Sequence, residues 1–164
     1  MDLTFSKDSV LSTTISLPSG DPVYELSTPS EKKYPTTIKR NDVEIGSVEL
    51  RRACSINGKA YSPKSGVFSS DTTFTFSDGK KYTWKRDSWR GKVYLKDPHN
   101  ETIATFNSSD PPVDPKATLS ISNPELADEV IATFVYIEQR KRYSRFNKAT
   151  DILAGGISAG PPGG

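Results

Sequence analysis

Short runs of alternating apolar and polar residues fill most of the first part of this chain. A two-residue period of this kind is typical of half-buried β-strands. Turn-forming pairs such as Asn41-Asp42 and Asn57-Gly58 separate several runs, and Gly46 interrupts one of them as a bulge would. Such runs cover 10–17, 23–28, 36–40, 43–50, 55–61, 71–76, 80–85, 92–96, 102–106 and 117–122. The pattern predicts about ten to twelve short strands, arranged as a barrel or as a sandwich.

An aromatic hairpin is the most regular piece of this strand-rich region. Phe74 and Phe76 lie two residues apart before a Ser-Asp-Gly turn, and Tyr82 and Trp84 lie two residues apart after it. Because side chains alternate between the two faces of a strand, all of these rings fall on one face of the hairpin. This face is a candidate part of the core.

One convincing helix follows the strands. Asn123 is a good N-cap and Pro124 suits the first helical position. The apolar residues after Pro124 cover about 180° of the helix surface, and Ala132 and Tyr136 extend that arc. The apolar part is only about 18 Å long, which is too short to span a bilayer but suits the inside of a small barrel. We therefore expect strands to surround this helix.

Length and composition predict one folded domain with a polar tail. The chain has 164 residues, a size that suits a single domain. The last stretch ends in G-G-I-S-A-G-P-P-G-G, which offers little apolar surface to bury. We predict a domain over 1–146 and a disordered Gly/Pro-rich tail over 147–164.

Charge and cysteine content exclude several classes of protein. Lys and Arg number 22 against 20 Asp and Glu, a net charge of +2, which argues against binding nucleic acid through overall charge. The single cysteine, Cys54, excludes a disulfide framework and a Cys-rich zinc site. The amino-terminal residues lack the basic and apolar regions of a secretory signal, and no apolar run is long enough to span a bilayer. These observations predict an intracellular, cytoplasmic protein without a transmembrane segment, either free or peripheral at membranes.

No constellation of residues predicts catalysis. His99 is the only histidine, and no spacing links it to Cys54 as a nucleophile and base. Clustered metal ligands and a phosphate-binding glycine loop are absent from the sequence. We predict no enzymatic activity, no catalytic residues, no metal and no cofactor.

Two segments remain as candidates for binding. Arg140, Lys141, Arg142 and Arg145 form the densest basic run. They are either a solvated complement to the negative end of the helix or a patch for an anionic ligand. Trp89 and Arg90 end a segment that is rich in aromatic and basic residues. They either form a stacking platform for the bases of a nucleic acid or for a sugar, or Trp89 covers one end of a barrel while Trp84 lies in the core.

Several pieces of the sequence together resemble the tubby C-terminal-like superfamily, which includes the plant LURP-one-related proteins and the phospholipid scramblases. They also resemble, more narrowly, a mushroom-type fungal family of unknown function with this fold. The most specific piece is D-G-K-K-Y-T-W-K at 78–85; the others are P-V-Y-E-L at 22–26, T-I-K-R at 37–40, A-T-L-S-I at 117–121 and D-E-V-I-A-T-F-V at 128–135. The resemblance implies a mainly β fold, a closed antiparallel barrel of about 12 strands around one buried C-terminal helix. It implies no enzyme chemistry.

The resemblance also shapes the functional hypothesis. Tubby-like proteins bind phosphoinositides and scramblases act at membranes, but no ligand-binding motif of either can be placed on residues of this chain. We expect a non-enzymatic binding or scaffold module whose ligand is an anionic lipid headgroup. The alternative is a protein–protein interaction or a self-associating structural protein with no lipid role.

Overall fold

In the computed structural model, thirteen antiparallel strands form one sheet, and a long helix follows the last of them. The structure describes residues 1–7, 12–29, 35–49, 54–65, 71–87, 92–108 and 116–155, without the side chains of 65, 142 and 145–155. The strands are β1 (Asp2–Phe5), β2 (Thr13–Ser16), β3 (Pro22–Ser27), β4 (Thr36–Arg40), β5 (Val43–Val48), β6 (Cys54–Ile56), β7 (Lys59–Tyr61), β8 (Lys64–Ser65), β9 (Thr72–Thr75), β10 (Lys81–Arg86), β11 (Val93–Lys96), β12 (Thr102–Asn107) and β13 (Thr118–Ile121). A 3₁₀ turn over Pro124–Leu126 leads into the helix α1 (Ala127–Gly155).

The order of the strands explains how the sheet closes. It runs β7-β6-β5-β4-β3-β2-β1-β13-β12-β11-β10-β9-β8, so its two edges are strands that follow each other in the chain. β7 pairs with β6 and β8 pairs with β9, and only Ser62 and Pro63 separate them. Pro63 has no N–H to donate, which interrupts the ladder between the two pairings. The segment 59–65 therefore serves both edges, and the result is a nearly closed barrel of 12 strands.

The fold class predicted from the sequence is confirmed, with two short strands added. The two-residue strand β8 was not predicted, and neither was β1, although Leu3 and Phe5 alternate with polar residues and are both buried. β1 pairs with β2 on one side and β13 on the other, so it joins the two halves of the barrel.

Local turn chemistry follows the prediction closely. Asn41, Asp42 and Asn57 all have positive φ, as the primed turns of two-residue hairpins require. The ladder between β4 and β5 shifts register beside Gly46, which confirms the bulge. A Cβ at Gly46 would overlap the backbone oxygen of Ser55 on the next strand, so only glycine fits this close approach.

The helix is the axis of the core. Asn123 accepts a hydrogen bond from the backbone N–H of Glu125 at 3.1 Å and caps the start as predicted. Every residue from Leu126 to Gln139 is buried except the half-buried Asp128. Phe134 packs against Phe106 with ring centroids 4.4 Å apart. Helix and wall thus bury each other's apolar faces.

The far end of the helix differs from the prediction. We expected Arg140, Lys141 and Arg142 to complement its negative C-terminal end, but α1 continues to Gly155 and has no basic residue in its last turn. That interpretation is wrong because these residues lie in the middle of the helix, outside the reach of the terminal dipole. The predicted domain boundary at 146 falls inside α1, and 156–164 lies outside the described residues.

Candidate functional site

The barrel has two ends, one where α1 begins and one where α1 leaves the barrel. Because the strands alternate in direction, the turns at 17–21, 41–42, 57–58, 76–80 and 97–101 lie at the end where α1 begins, here called the helix-start end. At the opposite, helix-exit end, α1 leaves the barrel, and its residues change from buried at Gln139 to half-buried at Arg140 and exposed at Tyr143.

Polar side chains at the helix-start end are paired with one another. Asp128 accepts a hydrogen bond from the Tyr24 hydroxyl at 2.7 Å and from Arg40 at 3.1 Å. Glu129 accepts from the Ser77 backbone N–H at 2.6 Å and from the Ser77 hydroxyl at 3.2 Å. Burial, and then the hydrogen bond to Asp128, raises the pKa of Tyr24 well above its usual range. These contacts fix the start of the helix to the strands, and they explain why carboxylates can lie here.

Deeper in the barrel, polar helix residues also find partners on the wall. The Thr133 hydroxyl accepts a hydrogen bond from the Trp84 indole N–H at 3.0 Å and donates to the Glu129 carbonyl at 2.8 Å. The Gln139 amide donates to the Thr36 hydroxyl and to the Val48 carbonyl. In the sequence, Thr133 and Gln139 interrupt an otherwise apolar stretch, and in the fold both form hydrogen bonds with the barrel wall.

A groove opens at the helix-exit end, between α1 and the strands β9, β10 and β11. It encloses about 390 Å³ and is lined by Thr72, Trp84, Lys85, Arg86, Val93, Ile137, Arg140, Lys141 and Ser144. The spacing of the helix residues, three or four apart, places all of them on one face. On β10, alternation puts Trp84 and Arg86 on the inward side and Lys85 on the outer side. Apolar side chains thus lie beside a cluster of cations.

Contacts within the groove hold several of its side chains in place. Arg140 donates to the Thr72 hydroxyl at 3.0 Å. Arg86 pairs with Glu138 at 3.2 Å, and Lys141 pairs with the other oxygen of the same carboxylate at 3.6 Å. These pairs orient the basic groups toward the space between helix and sheet. The arrangement can bind an anion that presents several oxygens, with an apolar group beside it.

The small net charge conceals a separation of charge between the two ends. In the turns and strand ends at the helix-start end, the described carboxylates outnumber the cationic side chains. The carboxylates are Asp2, Asp21, Glu25, Asp42, Glu44, Asp78, Asp97, Glu101, Glu125, Asp128 and Glu129, and the cations are Lys39, Arg40, Lys59, Lys80, Lys81 and Lys96. At the helix-exit end the described cations outnumber the carboxylates: Lys7, Lys64, Lys85, Arg86, Lys92, Lys116, Arg140 and Lys141 against Glu49, Asp71, Asp87 and Glu138. Such an asymmetry can orient a protein toward an anionic partner even when its net charge is small.

Some of the predicted site residues lie in the groove, and others lie outside the described part of the structure. Arg140 and Lys141 line the groove together, whereas the side chains of Arg142 and Arg145 lie outside the described part of the structure. Trp89 and Arg90 also lie outside it, so the stacking segment stays a prediction. Trp84 is in the core as expected, at 2% exposure.

Sequence reasoning missed Lys85 and Arg86 as members of the same site. They were visible as a basic pair next to Trp84, but nothing local links them to the helix, which begins more than 40 residues later. Arg86 has one usable signal, because it lies two residues after a core tryptophan and therefore on the inward face of β10.

The residues considered for catalysis lie in unlike surroundings. Cys54 is fully buried, and burial raises the pKa of its thiol to about 12. His99 is exposed in the turn between β11 and β12, where its backbone N–H donates to Asp97. Over the described part of the chain, no group of three His, Cys, Asp or Glu side chains is placed to hold a metal ion.

No helix in the described ranges is long and apolar enough to cross a membrane.

Comparisons with known proteins identify the family of this chain. No curated protein and no solved structure matches the chain. A family model described as a family of unknown function, DUF6593, matches residues 8–143 and so takes in nearly all of the barrel and the enclosed part of the helix. The chain therefore belongs to the DUF6593 family.

Proposed function

We propose that this protein is a non-enzymatic binding domain whose groove at the helix-exit end takes an anionic, phosphate-bearing lipid headgroup at a membrane surface. The observation that carries the proposal is the groove itself, where Arg86, Arg140 and Lys141 line an opening of about 390 Å³ and Lys85 lies at its outer edge. Phosphate oxygens accept hydrogen bonds from arginine in a bidentate manner and from lysine as a point charge.

The shape of the charge distribution supports a membrane-facing orientation. An anionic surface attracts the helix-exit end and repels the helix-start end, so both ends favour the same pose. The apolar residues Trp84, Val93 and Ile137 are buried at the base of the groove, so they shape the site beneath the cations and do not enter the membrane. On this proposal the protein is intracellular and peripheral at membranes.

The resemblance to the tubby-like superfamily points the same way. We propose that the DUF6593 family shares the barrel-and-helix fold of that superfamily, and that this chain is of fungal origin. Fold alone does not establish a ligand, so the lipid proposal depends on the groove and the charge asymmetry.

A flotation experiment tests the proposal. Vesicles of phosphatidylcholine with and without a phosphoinositide are mixed with the protein at low and at high salt. We expect flotation only with the phosphoinositide and release at high salt, because the contacts are electrostatic. If no flotation with phosphoinositide vesicles is seen even at low salt, the proposal is wrong.

A matched pair of variants locates the binding. Lys85→Gln with Arg140→Gln removes two charges from the groove, and Lys59→Gln with Lys80→Gln removes two exposed charges from the helix-start end. Each basic residue near an anionic surface contributes about 1 kcal/mol, so we expect the groove variant to bind about 30-fold more weakly and the control to bind like the wild type. Equal effects of the two variants would show that the groove is not the site.

A further inference from the structure

Ser144 places an exposed hydroxyl in the groove. Two of the described lining residues carry a hydroxyl: Thr72 is buried and accepts a hydrogen bond from Arg140 at 3.0 Å, whereas Ser144 is exposed. Arg140 and Lys141 lie four and three residues before Ser144 on α1, so these three side chains share one face of the helix. A group attached to the Ser144 hydroxyl therefore extends beside two cations.

The residues before Ser144 suit recognition by a serine kinase that prefers basic substrates. They read R-K-R-Y-S over 140–144, and a kinase cleft lined by carboxylates discriminates for such a charge pattern. A second basic run, R-R-A-C-S over 51–55, leads to Ser55. Ser55 is half-buried in β6, which pairs with β5 on one side and β7 on the other. The structure thus separates two serines that follow similar basic runs.

The part of α1 that carries Ser144 lies beyond the enclosed part of the helix. Gln139 is buried, whereas Tyr143 and Ser144 are exposed. Helices in proteins owe most of their stability to tertiary packing, so local opening costs less here than inside the barrel. Such opening presents Ser144 to a kinase in an extended form while the barrel stays folded.

We infer that Ser144 is a phosphorylation site, and that its phosphate fills the groove as a tethered anion and closes it to lipid headgroups. The second half of this inference rests on the proposed function of the groove. In the reaction, the Ser144 Oγ attacks the γ-phosphorus of ATP. The new O–P bond replaces the bond to the bridging oxygen, ADP leaves, and the hydroxyl proton passes to the base of the kinase.

The charge balance of the groove explains the expected effect. A phosphoserine carries about −1.5 to −2 charges near pH 7 and three acceptor oxygens. Arg140 can bind two of these oxygens at once, and Lys141, which also pairs with Glu138 at 3.6 Å, adds a point charge. A tethered group competes at an effective concentration in the millimolar range. The phosphate therefore neutralises the cations that a headgroup needs, as phosphorylation does in other basic membrane-binding segments.

Vesicle binding measures the closure of the groove. Phosphoserine is incorporated during translation at position 144 of the full chain, and in a control at position 19. Ser19 is exposed in a turn at the helix-start end, so its phosphorylation adds the same charge away from the groove. We expect phosphorylation at Ser144 to weaken binding to phosphoinositide vesicles about 30-fold, the loss due to two cations, and the control to bind like the unmodified protein. Equal binding by the two phosphorylated proteins refutes the closure.

Phosphorus NMR locates the phosphate without any lipid. The second pKa of a free phosphoserine is about 6. We expect the pKa of the phosphate at Ser144 to fall by about 0.5 to 1, because Arg140 and Lys141 favour the dianion, and Arg140→Gln to restore much of this difference. A phosphate at Ser144 that titrates like a free phosphoserine lies outside the groove, which refutes the inference. If the unmodified protein binds no phosphoinositide vesicle, the proposed function is wrong, and this titration still decides where the phosphate lies.

A kinase reaction tests the site itself. The folded protein is incubated with a serine kinase that prefers basic substrates, ATP and Mg²⁺, and the modified residues are identified by mass spectrometry. We expect phosphate at Ser144 and none at Ser55. Kinase treatment should weaken vesicle binding by the wild type, whereas Ser144→Ala should keep the affinity that it has before treatment. Absence of phosphate at Ser144 in the folded protein refutes the assignment of the site.

Discussion

Replacing Phe134 by alanine tests whether the helix is the axis of the barrel. The Phe134 ring is fully buried, and its centroid lies 4.4 Å from that of Phe106, 5.8 Å from that of Trp84 and 5.9 Å from that of Phe5. Truncation removes these contacts and leaves a cavity enclosed on all sides. The cost of Phe→Ala at such a site is about 3–5 kcal/mol, a large share of the roughly 5–15 kcal/mol that stabilises an ordinary domain.

Equilibrium unfolding in urea measures this loss. The midpoint should fall while the slope of the free energy with urea stays the same, since the surface exposed on unfolding is nearly unchanged. Val43→Ala is the control, because Val43 is 64% exposed and its truncation should change the free energy of unfolding by less than about 0.5 kcal/mol. Phe134→Asp should prevent folding, because it buries an unpaired charge. If Phe134→Ala costs no more than Val43→Ala, the helix is not enclosed and the fold described here is wrong.

Three further predictions concern single contacts. Gly46→Ala should destabilise the domain by about 1–3 kcal/mol in urea unfolding, because the new Cβ overlaps the backbone oxygen of Ser55; a neutral effect would contradict the close approach of β5 and β6. Thr133→Val should cost about 1–3 kcal/mol by leaving the buried Trp84 indole N–H without its acceptor, and an unchanged melting temperature would show that this hydrogen bond is absent. Cys54 should not react with a thiol reagent at pH 8 until denaturant is added, and rapid labelling of the folded protein would refute its burial. Burial raises the pKa of the Cys54 thiol from 9.0 to about 12 in the folded state, so the protonated thiol stabilises the fold relative to the unfolded chain. This stabilisation is fully present below pH 9 and is lost as the pH rises toward 12.

Local patterns were sufficient to predict most of the secondary structure. Alternation of apolar and polar residues predicted most of the strands. The predicted turns at Asn41-Asp42 and Asn57-Gly58 have positive φ, and Asn123 caps the start of the helix, as predicted. β1 and the two-residue β8 were missed because neither lies in a longer alternating run or beside a recognised hairpin turn.

Tertiary contacts explain what the sequence could not predict. Glu129 and Thr133 can be buried because Ser77, in the turn after β9, and Trp84, on β10, offer partners from about 50 residues away in the chain. The groove depends in the same way on bringing the Lys85-Arg86 pair against Arg140 and Lys141. A net charge of +2 also gives no sign that, among the described residues, carboxylates are in excess at the helix-start end and cations at the helix-exit end.

The central functional claim is that the groove at the helix-exit end binds a phosphorylated headgroup. Titration of ¹⁵N-labelled protein with a soluble inositol phosphate, followed by amide chemical shifts, tests it most directly. The account predicts shifts that saturate and concentrate at Thr72, Lys85, Arg86, Arg140 and Lys141, with little change in the turns at the helix-start end. Shifts that are absent, or that centre on the helix-start end, would contradict it.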